Sequence, residues 1–394
     1  MSVLAAGRVA ETVVSHAWNK DYTQVAICAN ENVVYVYAAT PDTPAGQWKL
    51  LHTLQEHDQH VSSVDWAPTS NLIVTCSHDR NAYVWNHRTD DTWQPNLVIL
   101  RLNRAALSAR WSPLGNKFAI TSGAKSVCIC YYEEDNNWWV SKLIKKRHDS
   151  TVLSVSWHPS NVLLATTSSD FKCRVFTAQV KGTDDAASAA AWLGDDAKFG
   201  ECLFEICAGG WVHAAAWSLA GTSLAFTSHD CITQFIDGLH GPANTWAANL
   251  LPAKCVALPE GSLPLRDLTF LSDNTVVAAG YDCTPVLFEA NVANQVVQSW
   301  SFKAALGGRG RVDGDIGDKG ASRFTSSLAV FKAQSDLGLA SCGATGPSSA
   351  ASDSPHDNCV QCIRSVAVRT SSSQAHVGTF TTSGLDGRVV LWEV

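Results

Sequence analysis

A unit of three short apolar runs separated by turn clusters recurs along this chain. Its clearest copy spans residues 56–85, where the runs 61–66, 72–74 and 82–85 are rich in β-branched and aromatic residues and the intervening segments carry Pro, Ser, Asn and Asp, which favour turns. An aromatic residue ends the first run of six copies, and Val368 takes that place in a seventh: Trp18, Trp66, Trp111, Trp157, Trp217 and Phe270. The first four copies lie 45 to 48 residues apart, which is typical of the four-stranded blades of a β-propeller.

The repeat copies predict an all-β protein without a second domain. We expect residues 1–394 to form a single seven-bladed β-propeller of the WD-repeat type. Two segments exceed the repeat, namely the Ala-rich residues 181–205 between blades 4 and 5 and the longer residues 289–357 between blades 6 and 7. The last copy ends at Val394 after its third strand, and residues 3–13 could supply the fourth. We therefore predict that the N-terminal strand closes the ring and removes an exposed sheet edge.

The composition argues against several classes of protein. The formal net charge of −7 disfavours a general nucleic-acid binder. The N-terminus lacks a basic leader followed by an apolar core, and no apolar run reaches about 18 residues, so we expect neither a secretion signal nor a membrane span. The 13 cysteines lie mostly singly in strand-like runs, which indicates buried thiols in an intracellular, reducing compartment.

A His–Asp pair is the strongest polar pattern of the repeats. It occurs twice with a spacing of 22 residues and is followed by an aromatic residue: His57, Asp79 and Trp85 in blade 2, and His148, Asp170 and Phe176 in blade 4. Such a pair could perform general acid–base catalysis, or it could bond two turns of one blade. Because a pair that recurs from blade to blade is not a unique site, we interpret it as a structural clamp between turns. Asp230, Asp282 and Asp386 occupy the same turn position and are predicted to lack the histidine.

No other motif indicates catalysis or cofactor binding. The phosphate-loop, G-x-S-x-G and H-E-x-x-H patterns do not occur in the sequence. Cys359 and Cys362 form a C-x-x-C pair with His356 nearby, but a zinc site of this type requires a second pair at suitable spacing. We therefore expect no enzyme activity, no cofactor and no metal.

Basic residues flank the third repeat copy in two groups. The candidates for a patch that attracts an acidic partner are Arg101, Arg104 and Arg110, followed by Lys142, Lys145, Lys146 and Arg147. Solvated strand ends and loops would give the same pattern. On a chain with net negative charge, a positive patch would instead steer an acidic partner to one place. Both interpretations stay open on the sequence.

The segment 289–357 contains a short stretch that differs from its surroundings. Most of the segment is rich in Gly, Ser and Asp and is expected to be flexible. Within residues 321–334, Phe324, Leu328 and Phe331 follow the spacing of one helical face. Such a helix could dock back on the propeller, or it could project and bind a groove of a partner.

The amino-acid sequences of the repeats, and not only their period, resemble one family of WD-repeat proteins. Stretches such as SHAWNKDYTQVAIC, SHDRNAYVW, LRLNRAALSARW and NNWWVSKLIKK are similar to the propeller subunit, subunit 1, of the actin-related protein 2/3 complex. The resemblance covers most of residues 15–290 and the final blade. It implies a non-catalytic scaffold subunit in the nucleation of branched actin filaments, located in the cytoplasm and the actin cytoskeleton. A WD-repeat scaffold of a different intracellular complex is the alternative, but it would not share these stretches.

The resemblance also implies partners for particular segments. It implies contacts with the other subunits of the complex and with the actin filament. In the family, the insertion between blades 6 and 7 carries a helix that reaches toward the mother filament, and the matching residues here are Arg323, Phe324, Leu328 and Phe331. The family is further implicated in engaging acidic segments of nucleation-promoting factors, for which the basic residues named above are candidates. It implies neither nucleic acid nor a membrane span.

Overall fold

Seven four-stranded antiparallel sheets contain all the β-strands of the described chain. The structure, a computed structural model, describes residues 2–194, 198–294, 296–306, 355–366 and 378–394. Each sheet has the strand order of a propeller blade, in which consecutive strands run from the inner to the outer edge. The predicted seven-bladed β-propeller is therefore confirmed.

Blades 1 to 6 each use four consecutive strands. Blades 1 to 3 are β2–β5 (Ser15–Trp18, Gln24–Cys28, Val33–Ala38, Lys49–Gln55), β6–β9 (Val61–Trp66, Leu72–Ser77, Ala82–His87, Trp93–Val98) and β10–β13 (Ala106–Trp111, Lys117–Ser122, Val127–Glu133, Trp138–Ile144). Blades 4 to 6 are β14–β17 (Val152–Trp157, Leu163–Ser168, Lys172–Thr177, Cys202–Cys207), β18–β21 (Val212–Trp217, Ser223–Ser228, Ile232–Asp237, Lys254–Ala257) and β22–β25 (Leu265–Ser272, Thr275–Gly280, Val286–Ala293, Val296–Ala305).

Blade 7 takes its strands from both ends of the chain. Its strands are β26 (Val360–Ser365), β27 (Thr379–Gly384) and β28 (Arg388–Glu393), with β1 (Ser2–Arg8) at the outer edge. β1 pairs antiparallel with β28, and the Val13 amide donates to the Gly384 carbonyl at 3.0 Å beyond the strand. The N-terminal strand thus closes the ring, as predicted, and covers an edge that would otherwise expose unpaired backbone groups.

Helices are few and short in the described residues. They are α1 (Ala186–Leu193), α2 (Trp246–Asn249) and two 3-10 turns at Ala45–Gln47 and Ala243–Thr245. The Asp185 side chain accepts a hydrogen bond from the Ser188 amide and so caps the start of α1. Of the helices that the structure describes, none combines the length and the apolarity that a membrane crossing would require.

The two long segments of the sequence lie partly inside blades, which corrects their predicted placement. Residues 181–205 do not separate blades 4 and 5, because they include α1 and reach into β17, the outer strand of blade 4. Likewise, β25 is the outer strand of blade 6 and occupies part of residues 289–357. Each of these outer strands has a single buried side chain, Phe204 in β17 and Trp300 in β25, so neither matches the buried inner strands that the repeat pattern marks.

The recurring tryptophan of the inner strand lies between neighbouring blades. The Trp157 indole in blade 4 donates to the backbone oxygen of Arg110 in blade 3 at 3.0 Å. The Trp217 indole in blade 5 donates in the same way to Ser156 in blade 4 at 3.3 Å. Since both indoles are almost fully buried, the period of the repeat marks the spacing of the contacts between blades.

Most cysteines of the described chain pack inside the blades. Seven of the 12 are buried. Burial raises the pKa of Cys76 and of Cys173 to about 12. These thiols therefore stay protonated near neutral pH and act as small apolar side chains.

Candidate functional site

The polar network of blade 2 joins four side chains. Asp79 Oδ2 accepts a hydrogen bond from His57 Nδ1 at 2.7 Å, and the Thr75 hydroxyl lies 2.9 Å from His57 Nε2. The Trp85 indole donates to the same Thr75 oxygen at 3.0 Å. Every polar atom in this row has a complementary partner, so the aspartate of one turn, the histidine before β6 and two strands are joined in one continuous network.

Asp79 also organises the backbone on both sides of the blade 2 network. Its carboxylate accepts hydrogen bonds from the Asn81 amide at 2.8 Å and from the Asp58 amide at 3.2 Å. Burial acts to raise the Asp79 pKa, but the hydrogen bonds from His57 and from these amides outweigh burial and hold the pKa below its usual value. The carboxylate is therefore ionised at neutral pH and is committed to local donors.

Blade 7 contains the same network, which the sequence analysis missed. His356 Nδ1 lies 3.0 Å from Asp386 Oδ2, and His356 Nε2 lies 2.7 Å from Thr382 Oγ1. The Trp392 indole donates to Thr382 Oγ1 at 2.8 Å. The prediction that Asp386 lacks a histidine is wrong, because a longer segment between β26 and β27 stretches the spacing to 30 residues. Counting from the inner strand would have found it, since His57 and His356 each precede that strand by four residues.

Blade 4 brings its predicted residues close together but bonds them differently. His148 Nε2 lies 3.0 Å from Thr166 Oγ1, whereas His148 Nδ1 is buried without a hydrogen-bond partner in the described part of the chain. Asp170 instead accepts a hydrogen bond from Arg174 Nη1 at 2.8 Å. Phe176 stands where the other two networks have a tryptophan and offers no N–H group. The hydrogen bond predicted between His148 and Asp170 is therefore not formed.

The electrostatics of blade 4 follow from this arrangement. Burial lowers the pKa of His148 to about 4, and the nearby Arg174 guanidinium adds to the effect. The imidazole is thus neutral at pH 7. The histidines His57, His148 and His356 are 3%, 5% and 0% exposed, so none of these imidazoles is presented to a substrate in solvent.

Five of the seven candidate basic residues lie on one face of the ring. The loops 99–105 and 145–151 both join the outer strand of one blade to the inner strand of the next, and loops of this type project from the same face. The exposed basic residues in these two loops are Arg101, Arg104, Lys145, Lys146 and Arg147. They flank blade 3 on both sides and form the only part of the predicted patch that shares this surface.

Arg110 and Lys142 do not belong to that surface, which corrects the grouping from the sequence. Lys142 lies on β13 with its Nζ 5.5 Å from the centre of the Tyr131 ring and 5.6 Å from that of Phe199. Arg110 lies on the inner strand β10 and lines the space at the ring axis. Side-chain alternation along a strand and the position of the strand in the blade separate residues that are close in sequence.

The inner strands of all seven blades line a central channel. One end of the channel is a cavity of about 300 Å³ whose lining comes from each of these strands. Asp65 accepts a hydrogen bond from the Trp111 amide at 2.7 Å, and Asp267 accepts one from the Ile363 amide at 2.8 Å. A catalytic site at the axis would need carboxylates that converge on one point. These channel carboxylates instead bond the backbone of the next blade.

The candidate filament-binding residues lie outside the described part of the chain. Arg323, Phe324, Leu328 and Phe331 belong to residues 307–354, which the structure does not describe. The helix expected near 321–334 therefore stays a prediction.

The closed ring of four-stranded blades and the His–Thr–Asp–Trp networks define a WD-repeat β-propeller protein. In agreement, the WD domain, G-beta repeat family matches residues 48–86 and 140–177. The chain is 42% identical to actin-related protein 2/3 complex subunit 1A of Arabidopsis thaliana, over 100% of this chain and 97% of that protein. It is 38% identical to subunit 1A-B of Xenopus laevis (97% and 94% covered) and 37% identical to subunit 1 of Schizosaccharomyces pombe (96% and 95% covered). The chain belongs to the actin-related protein 2/3 complex subunit 1 family.

Proposed function

We propose that this chain is the propeller subunit of an actin-related protein 2/3 complex and serves there as a scaffold for the nucleation of branched actin filaments. The observation that carries the proposal is similarity along the whole chain to subunit 1 proteins of a plant, a frog and a yeast. The partners in this proposal are the other subunits and the actin filament, and the place of action is the cytoplasmic actin cytoskeleton. A closed ring supports a scaffold role, because it holds loops of seven blades in a fixed arrangement.

The proposed role is non-catalytic. The three blade histidines are buried, and the carboxylates that line the channel are bonded to backbone amides. In this proposal the His–Asp networks of blades 2 and 7 act as clamps that hold the turns beside the inner strands. Blade 4 holds its turn through Arg174 and Asp170 instead.

Affinity purification of the tagged full chain from its own cells tests the assembly. We expect two actin-related proteins and a set of smaller subunits to copurify in constant ratios. A tagged WD-repeat propeller from an unrelated assembly serves as the control for non-specific recovery. Purification in a stable complex that contains no actin-related protein would overturn the proposal.

The proposal extends to residues 321–334 as the segment that contacts the actin filament. Its support is the helical spacing of Phe324, Leu328 and Phe331 within a polar segment. We expect the double variant Phe324→Ala/Leu328→Ala to keep its melting temperature but to form fewer branches in an assay with the purified complex. The matched control Thr325→Ala/Ser326→Ala alters the same segment away from the apolar stripe and should branch normally. Full branching by the first variant would contradict this assignment.

The exposed basic loops beside blade 3 are the proposed site for an acidic segment of a nucleation-promoting factor. Their support is the placement of five basic side chains on one face of a chain with a net charge of −7. We expect Lys145→Glu/Lys146→Glu to weaken the binding of an acidic peptide, measured by fluorescence anisotropy with the purified complex. Lys20→Glu/Lys49→Glu makes the same change in charge on the opposite face and should bind normally. Equal weakening by both variants would show a net-charge effect and no specific site.

A further inference from the structure

Two imidazoles and a carboxylate converge at the joint between blades 1 and 2. His52 lies on β5 of blade 1, His87 ends β8 of blade 2, and Asp91 lies in the turn between β8 and β9. The Nε2 atom of His87 is 2.9 Å from Asp91 Oδ1, and the Nε2 atom of His52 is 3.5 Å from the same oxygen. One nitrogen or oxygen atom from each residue lies within 4.8 Å of the other two, and no other such triad occurs among the residues that the structure describes.

We propose that His52, His87 and Asp91 bind a zinc ion. Zinc takes imidazole nitrogen and carboxylate oxygen at about 2.0–2.2 Å, usually in tetrahedral geometry. Ligand atoms around such an ion lie about 3.3 Å from one another, by the geometry of a tetrahedron with these bond lengths. The two measured separations, 2.9 and 3.5 Å, lie on either side of this value. Because two of the three ligands are imidazoles, the site favours a transition metal over magnesium or calcium.

The strands and a tryptophan hold the two imidazoles in place. His52 pairs with Val36 in the ladder of blade 1, and His87 pairs with Trp93 in the ladder of blade 2. The Trp93 ring packs against both imidazoles, with ring centres 4.8 Å from His87 and 6.3 Å from His52. The ion would therefore meet side chains that have little rotational freedom left to lose, which favours binding.

Exposure of the cluster allows an ion to enter from solvent. The side chains of His52 and His87 are 17% and 23% exposed, whereas that of Asp91 is 78% exposed. The open side would leave a fourth position for water. Each imidazole would bind the ion through Nε2, the atom that faces Asp91 Oδ1.

A bound ion would add a link between the outer parts of two neighbouring blades. His52 belongs to one blade, and His87 and Asp91 belong to the next. The proposal departs from the expectation of no metal site in the sequence. The two histidines lie 35 residues apart in different repeat copies, so no short motif marks them.

Calorimetric titration of the metal-free full chain with zinc chloride, in a reducing buffer at neutral pH, tests the site. We expect one saturable site and an increase in melting temperature on binding. His87→Gln and His52→Gln should each weaken the site by at least about tenfold. The matched control His60→Gln/His78→Gln removes another close histidine pair, whose ring centres are 4.0 Å apart, and should bind zinc normally. Magnesium should not compete.

Cobalt binding gives a readout that does not depend on stability. Cobalt in a tetrahedral nitrogen and oxygen site absorbs visible light, and this absorption should disappear in Asp91→Asn, which changes a side chain that is 78% exposed. Zinc binding of equal affinity in wild type and His87→Gln would overturn the proposal and place the ion elsewhere, for example on the exposed Cys207 and Cys255 thiols. The lack of any saturable site would overturn it as well.

Discussion

Blades 2 and 4 share the 22-residue spacing of histidine and aspartate but form different hydrogen-bond networks. The difference arises at one position of the third strand, two residues before the aromatic residue. In blade 2 this position is Tyr83, whose ring meets that of His57 edge-on at 4.8 Å and leaves Asp79 bonded to the histidine. In blade 4 it is Arg174, which binds Asp170. The spacing places two side chains near each other, and a third side chain that competes for the carboxylate decides whether they bond.

Blade 7 extends the comparison, because it repeats the network of blade 2 in a blade whose outer strand comes from the other end of the chain. Its His356, Asp386, Thr382 and Trp392 bond as their blade 2 counterparts do. Its outer strand β1 comes from the N-terminus, whereas its other three strands, β26 to β28, follow one another at the C-terminal end of the chain. A comparison of blades 2 and 7 therefore distinguishes how much the network stabilises a blade from how much a covalently connected outer strand does.

Deletion of residues 1–13 should have the largest effect, because it strips the outer strand from blade 7 and leaves its network intact. The deletion removes the β1 ladder and the fully buried Val13 side chain. We expect the melting temperature to fall by roughly 5–10 °C in differential scanning calorimetry. Leu4→Ala, at an exposed position of the same strand, should leave it nearly unchanged. Normal melting of the deletion variant would contradict ring closure by this strand.

The hydroxyl of Thr75 in blade 2 should contribute more to the free energy of unfolding than the hydroxyl of Thr166 in blade 4. Thr75 bonds both the His57 ring and the Trp85 indole, so Thr75→Val leaves two buried groups without a partner. We expect a loss of about 3 kcal/mol in the free energy of unfolding. Thr166→Val breaks only one hydrogen bond between side chains, the one to His148. The free energy of unfolding should therefore fall by about 1 kcal/mol. Urea unfolding of the two variants checks this order, and equal losses would contradict it.

The neutral His148 should make the protein less stable in mild acid. Its pKa is lowered from 6.5 to about 4 in the folded state, so the unfolded chain binds this proton first as the pH falls. The free energy of unfolding should therefore decrease as the pH falls from 6.5 to about 4. His148 should account for about 2 kcal/mol of this decrease at pH 5. His148→Gln should reduce the loss of unfolding free energy between pH 7 and pH 5 by that amount. An unchanged pH profile of the variant would contradict a depressed pKa at His148.

Conversion of blade 4 toward blade 2 should give the smallest effect. Phe176→Trp supplies an indole N–H group opposite the Thr166 hydroxyl, and we expect a gain of about 0.5–1 kcal/mol in unfolding free energy. The same substitution in a Thr166→Val background should give no gain, because the acceptor is then missing. A similar gain in both backgrounds would assign the effect to packing of the larger ring.

Apolar runs and turn residues in the sequence predicted the inner strands of the blades. Trp66, Trp111 and Trp157 mark buried inner strands between blades, so their spacing revealed the blade number. The turn residues between runs showed the strand order inside each blade. The outer strands β17 and β25 escaped prediction because each buries only one side chain and follows no pattern shared with the inner strands.

The candidate sites depended more strongly on contacts across the chain. Sequence spacing led to His57 and Asp79 but missed His356, because a longer loop hid the equivalent distance. It also grouped Arg110 with Arg104, although one lies on an inner strand and the other in an exposed loop. Distance along the chain does not report which face of a blade a side chain occupies.

The sequence by itself determined the seven-bladed ring, its closure by the N-terminal strand and the family. Those features depend on apolar runs, turn residues and repeated stretches that are read along the chain. Only the tertiary structure decided which polar side chains bond, as at Asp170, and which meet across blades, as at His52 and His87. Hydrogen bonds and metal ligation require atoms within about 3–4 Å of each other, and folding brings such atoms together from distant positions.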